Sequence, residues 1–382
     1  METWSVHHLY QKAESSLGED KAISLQKYAN QLIKKNLPVI FTLGHLSEII
    51  DINYSTLHET IERRRESANY KIFTIRKRSG GIRYIHAVSK ELFLTQKFIN
   101  SEILQKISPH PASYAFHPKG GIRACAQRHC HAKWLFQYDL KNFFFSINEN
   151  SIYHIFKYAG YRPLLSIELA RLCTTTILPK HLSKYLHNEK KSENNKHYNF
   201  YNKNLYLGVL PQGAPSSPML SNLAAIQLDI DLTNFSDRFG FVYTRYADDI
   251  TFSCSEKLPK DKSINYLHHE ITRIFKKNGF EENKKKTKIS RPGSKKIVLG
   301  LLVDKENPRL SKEAYKRIQR LLYATKKYGI LAVARHENFY SPIGFLNHLQ
   351  GLLAYVKDVD YKRWEEFYNL FKSFSNNRIP SN

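Results

Sequence analysis

Cysteine is scarce in this 382-residue chain: Cys125, Cys130, Cys173 and Cys254 are all there is. So few thiols, with no secretory leader ahead of them, exclude a disulfide-built scaffold and point to a reducing cytoplasm. Long apolar runs are missing too. No stretch approaches the ~18–20 residues that cross a bilayer, so no membrane partner is expected. Acid is the third deficit, with 34 Asp plus Glu against 59 Lys plus Arg and a formal charge of +25. A field of that sign attracts polyanions and neutralises phosphates without reading their sequence.

Aromatics, by contrast, are plentiful, at 24 Tyr and 22 Phe. Most large rings are core material, but interleaved with basic residues they also offer stacking surfaces for unpaired bases. The length allows a substantial core and two or three subdomains. Cys125, His129, Cys130 and His131 gather metal-ligating residue types. Their spacing matches no common zinc module, and the structural reading is preferred.

Few acids are placed informatively. Asp248-Asp249 lie in Tyr-Thr-Arg-Tyr-Ala-Asp-Asp-Ile-Thr-Phe (243–252), between two β-prone runs and at the tip of a predicted hairpin. An isolated acidic pair in a turn is more often simply solvated. A third carboxylate changes the balance. Asp139 stands where the buried strand predicted from Trp134 runs out of apolar residues. On neighbouring strand ends, three such acids suit two Mg²⁺ ions through hard oxygen ligands. A two-metal centre suits in-line displacement at phosphorus, so the reaction class indicated is nucleotidyl transfer. Between these segments runs Leu-Pro-Gln-Gly-Ala-Pro-Ser-Ser-Pro (210–218). Its Gly and Pro either let backbone approach a flat ligand, with Gln212 offering an amide, or simply punctuate a loop.

In this order the segments resemble the bacterial reverse transcriptases, particularly those of retrons and related defence-associated enzymes. The resemblance rests on Tyr-Asp-Leu-Lys-Asn-Phe-Phe-Phe-Ser-Ile (138–147), the 210–218 segment and Tyr-Thr-Arg-Tyr-Ala-Asp-Asp (243–249). It extends upstream to 73–85 and downstream to 283–290. What it implies is an α+β right-hand polymerase, with a central antiparallel palm sheet and helical N-terminal and thumb regions. The expected division is an N-terminal helical extension over 1–60, fingers over 61–130, palm over 131–305 with a polar insertion at 187–204, and thumb over 306–382.

By the same resemblance, Asp139, Asp248 and Asp249 are the catalytic, metal-binding aspartates, and the Leu140 carbonyl adds a ligand. Two Mg²⁺ ions are implied, with Mn²⁺ as a substitute. Phe144 takes the place of the steric gate against the ribose 2′-hydroxyl. Lys77 and Arg83 match the fingers cations that hold the incoming triphosphate, and Gln212 lines the nucleotide pocket. One of Lys284, Lys285 and Lys286 would contact departing pyrophosphate. The triplet leaves the register open, and a solvated charged face is the plainer alternative.

The activity implied is RNA-directed DNA synthesis on a dedicated non-coding RNA, with antiphage defence as the setting. Implied partners are the RNA template, dNTPs, the DNA product or RNA–DNA hybrid, and a second defence protein or further copies of the chain. Two segments depart from the retron pattern. Cys125-Ala-Gln-Arg-His129 stands where retron enzymes show Asn-Ala-x-x-His, and Val298-Leu-Gly300 where they show Val-Thr-Gly. These departures shift the expectation toward another defence enzyme. Open alternatives are a retron enzyme making branched RNA–DNA, a diversity-generating enzyme, and a non-catalytic RNA-binding scaffold on the polymerase fold.

Overall fold

A computed structural model describes residues 5–76, 80–186, 207–256, 258 and 262–375. Lys77 and the polar insertion expected over 187–204 lie outside the described residues.

Four strands build the central sheet: β3 (Trp134–Asp139), β4 (Val242–Tyr246), β5 (Asp249–Cys254) and β6 (Lys288–Ser290), in the order β4-β5-β3-β6 and antiparallel throughout. Alternation divides its faces. Phe136 pairs with Phe252, and Phe252 with Tyr243, so these rings share one face. That face packs on the helices Ile226–Phe239 and Ile264–Lys277, with Phe235 5.8 Å from Phe252 and Phe275 5.5 Å from Tyr138 between ring centroids. Leu135, Gln137 and Asp139 point the other way, alongside Ser253, Thr251 and Asp249. The carboxylates thus ride on the more polar face.

That polar face is closed further back by His129. Its two ring nitrogens meet Ser253 Oγ and Thr244 Oγ1, each at 2.7 Å, and Cys125 Sγ lies 3.2 Å from the same Thr244 hydroxyl. Two of the four residues that gather metal-ligating types, Cys125 and His129, are therefore spent in a buried hydrogen-bond knot. Burial pushes the His129 pKa down to about 3.

Outside the central sheet, β1 (Tyr70–Arg76) and β2 (Ile82–Val88) form an antiparallel hairpin within the region expected to be fingers. The N-terminal region is helical as expected, over Val6–Leu17, Glu19–Lys34, Leu43–Ile50 and Tyr54–Ile61. In the helix Leu43–Ile50, Leu43 and Leu46 are buried, whereas Ile49 is 39% exposed. An α-helix follows over Lys90–Phe98. It then widens into a π turn at Ile99–Ile103 and tightens at Leu104–Lys106.

Two large cores result. One joins the N-terminal helices (Leu32, Leu46, Leu57), the fingers base (Leu92, Ile99) and the palm sheet (Phe136, Phe252). The other belongs to the helices Lys312–Tyr328, Ile330–His336, Pro342–Val359 and Tyr361–Ser375. It reaches across residue 305 to take in Ala126, Leu135, Val298 and Leu301. Both departures from the retron pattern thus sit at this thumb root. There Leu299 and Gly300 turn the short hairpin of β7 (Ile297–Val298) and β8 (Leu301–Leu302) with φ of 49° and 85°. A leucine tolerates that strained conformation because its side chain packs on the thumb core, and its carbonyl accepts from Tyr355 Oη at 3.4 Å.

Candidate active site

Register brings the acids together. Asp139, last in β3, lies directly opposite Asp249, first in β5, and directly opposed residues of an antiparallel pair project from the same face. Asp248 occupies the turn between β4 and β5. Ala247 opens that turn with φ 56°, the sign a tight hairpin requires at its first central position. Leu140 N–H donates to the Asp248 carbonyl at 3.0 Å, fastening the turn to the end of β3.

A cavity of about 180 Å³ opens beside these residues. Asp139, Leu140 and Asp248 form one wall; Arg83, Gln212 and Phe144 complete it from the fingers, the 210–218 loop and the segment after β3. Asp249 is outside that lining and exposed, yet close enough to feel the other two acids. Crowding by the surrounding protein, then Asp248 and Asp139, push its carboxyl up to about 6. Burial and Asp139 likewise raise Asp248, with Lys286 and Arg83 opposing.

Among the three lysines the geometry selects one. All three are exposed, but only Lys286 lines the cavity, with its Nζ 2.5 Å from Asp139 Oδ2. Burial works against its charge, but Asp139, Asp248 and Asp249 outweigh burial and raise its pKa. Asn283, which sequence reasoning did not single out, donates from Nδ2 to Asp139 Oδ1 at 2.7 Å and from its backbone to the Asp139 carbonyl at 2.8 Å. It stands immediately before the lysine triplet, and that adjacency was the available signal.

Gln212 is placed by its main chain. Its carbonyl accepts from His86 N–H of β2 at 2.8 Å. Next to it Gly213 adopts φ 118°, and a Cβ there would meet the His86 carbonyl and Ile85 Cγ2, both at 2.9 Å. Only glycine lets the loop lie this close to the fingers strand. Phe144 follows Asn142, whose left-handed φ of 51° swings the Phe143–Ser146 turn toward the cavity. Asn142 Nδ2 is held by Tyr185 Oη at 3.0 Å.

The donor set fits a divalent cation. Asp248 and Asp249 are pushed up by the surrounding protein and by the neighbouring acids, and the cation now answering the cluster is a lysine ammonium on Asp139. Among the described residues no three His, Cys, Asp or Glu side chains are already gathered around one point. Asp139 is instead committed to Lys286 and Asn283.

Comparison with known proteins decides the family. Residues 75–303 match the family model for reverse transcriptase (RNA-dependent DNA polymerase), more than half of the chain. The chain belongs to the reverse transcriptase family. Among its relatives, the Retron Ec86 reverse transcriptase of Escherichia coli is 29% identical over 340 residues, covering 88% of this chain and 91% of that protein. The Retron Mx65 reverse transcriptase of Myxococcus xanthus is 30% identical over 330 residues, covering 86% and 70%. A third, the Retron Ec73 reverse transcriptase of Escherichia coli, is 31% identical over 296 residues, covering 76% and 83%. This chain is a bacterial reverse transcriptase of the retron type, an RNA-directed DNA polymerase on a right-hand fold. Reverse transcriptases generally use divalent metal ions and RNA templates. Among the described residues no helix is long and apolar enough to cross a membrane.

Proposed function

We propose that this reverse transcriptase copies a dedicated non-coding RNA into DNA, with Asp139, Asp248 and Asp249 as ligands for two Mg²⁺ ions and Leu140 O as a further ligand. One observation carries the reading: two of the acids share a single cavity wall with Arg83, Gln212 and Phe144, each from a different element. When bound, the ions would activate the attacking hydroxyl and stabilise the leaving pyrophosphate oxygens.

The protein's own residues supply the rest. Arg83 offers a forked cation to the triphosphate. Phe144 blocks the volume a ribose 2′-hydroxyl would fill, leaving deoxynucleotides as substrate. Gln212, fixed through its main chain, shapes the pocket under base and sugar. Lys286 gives its proton to the departing pyrophosphate, a role suited to a cationic group at the cavity edge. The division proposed is fingers over 61–130, palm over 131–305 and thumb over 306–382; a separate core in the C-terminal helices supports the thumb and also draws in Ala126, Leu135, Val298 and Leu301.

Antiphage defence is the setting proposed, in a reducing cytoplasm where Cys125, Cys130, Cys173 and Cys254 stay free thiols, as they are in the fold. A second reading, synthesis of DNA branched from RNA, is favoured by the retron relatives. Purifying the protein with its flanking DNA, and sequencing all co-purifying RNA and DNA for wild type and Asp248→Asn, separates the outcomes. One discrete RNA in both samples, with complementary DNA only in wild type, supports the proposal. A 2′–5′ joint between that RNA and DNA selects the branched product. DNA in both samples, or no discrete RNA in either, contradicts the proposal.

A further inference from the structure

Arg245, two residues before the catalytic turn, is completely buried. Its guanidinium makes four directed hydrogen bonds: Nε to Asp229 Oδ1 at 2.8 Å, Nη2 to Asp229 Oδ2 at 2.6 Å, and Nη1 to Asn222 Oδ1 at 3.0 Å and to the Ala247 carbonyl at 3.1 Å. It also lies 5.9 Å from the centroid of Phe143, in the segment that follows Asp139. One side chain therefore touches the three segments that build the cavity: the turn itself, the helix after the 210–218 loop, and the stretch after β3.

Its partners are anchored in turn. Asp229 also accepts from Tyr243 Oη at 2.6 Å. Asn222 accepts from Ser113 Oγ at 3.0 Å and donates to the Ala115 carbonyl at 2.6 Å. Backbone bonds from Arg245 N–H to the Ala112 carbonyl and from Tyr114 N–H to the Arg245 carbonyl, 2.8 and 2.9 Å, clamp the same strand against residues 112–115.

A buried ion pair is a poor stabiliser, since a well-packed apolar pair of similar size often does as well or better. What such a pair supplies is fixed geometry, and here the geometry concerns the Ala247 carbonyl. Ala247 sits in a left-handed conformation that costs an L-residue about 1–2 kcal/mol. Two bonds hold the turn there, Leu140 N–H on the Asp248 carbonyl and Arg245 Nη1 on the Ala247 carbonyl.

We infer that Arg245, held by Asp229 and Asn222, is the positioning residue that sets the Ala247–Asp248 turn and so places Asp248 against Asp139. The inference rests on the active-site reading above and adds the part that holds it in register. Arginine is required because a planar fork reaches Asp229, Asn222 and the turn carbonyl at once; a lysine ammonium keeps the charge but not that reach.

Two variants separate positioning from folding. Arg245→Lys retains the charge beside Asp229. Arg245→Gln combined with Asp229→Asn removes both charges together, leaves Tyr243 an acceptor, and shortens the side chain so that it no longer spans to the turn. Each is assayed by RNA-templated primer extension at a temperature where it is fully folded, with kcat, KM for deoxynucleotide and the Mg²⁺ concentration for half-maximal rate. Both should lose about ten- to a hundredfold in kcat and need more Mg²⁺. KM should stay near wild type, because Arg83, Gln212 and Phe144 are untouched. Wild-type kcat in either folded variant overturns the inference, as does a kcat that merely tracks melting temperature. Asp248→Asn, run in parallel, tests the underlying reading by itself: if it still polymerises, the active-site assignment fails whatever the Arg245 variants do.

Discussion

Lys286 Nζ donates to Asp139 Oδ2 at 2.5 Å, so a cation already rests on the first carboxylate of the trio. Loading with a divalent ion would require Asp139 to exchange that ammonium for the metal, freeing Lys286 to turn toward the pyrophosphate. Lys286→Ala should then cut kcat by about 10²–10⁴, the range of a lost general acid. Lys286→Arg keeps the charge but holds its proton too tightly to give it up. It should stay as slow as the alanine variant in single-turnover incorporation; recovery to wild-type rate would show that only the charge matters.

Phe144→Ala should relax sugar selection by about ten- to a hundredfold, since removal of a steric wall rather than a bond is involved. Competing dCTP against CTP on one RNA template reads the ratio. Unchanged rejection of CTP would place the gate elsewhere.

Gly213→Ala forces a Cβ against the His86 carbonyl and Ile85, at a φ unfavourable for alanine. The loop must retreat from β2 and carry Gln212 with it. KM for deoxynucleotide should rise several-fold, with a stability loss of about 1–3 kcal/mol. A variant with unaltered KM would separate Gln212 from nucleotide binding.

His129 gives the fold a defined acid limb. Its folded pKa, lowered to about 3 by burial, lies below the ordinary value near 6.5. Its contribution is complete above pH 6.5 and declines as pH falls toward 3, because the unfolded chain takes up the proton first. The slope attributable to this group is at most about 1.4 kcal/mol per pH unit. Denaturant unfolding of wild type and His129→Gln from pH 7 to 4 should show a shallower acid limb in the variant; parallel limbs would assign it to other groups.

Much of the site was legible because each of its acids is marked by the residues next to it. Asp139 and Asp249 announce themselves as acids where β-prone, apolar runs stop, and antiparallel pairing then sets them opposite each other. Asn283 and Lys286 were hidden by repetition, since three consecutive lysines offer no periodicity that says which one faces inward. Arg245 was hidden differently. Between two tyrosines on a strand it looks like a solvated charge, and its burial depends on Asp229 and Asn222, 16 and 23 residues away. Helix positions show the same limit: within Leu43–Ile50, apolar spacing alone does not separate Ile49, which is 39% exposed, from Leu43 and Leu46, which neighbouring elements bury. The Leu299 turn was unreadable because a leucine at positive φ contradicts its local preference and is sustained by the thumb.

Steady-state primer extension on a defined RNA template, wild type against Asp248→Asn with and without Mg²⁺, tests the central claim most directly. Wild type should extend the primer with deoxynucleotides only when Mg²⁺ is present, and Asp248→Asn should bind the same RNA yet fall to background. Metal-independent extension, or robust synthesis by the variant, would contradict the assignment of the aspartate cluster as the catalytic centre.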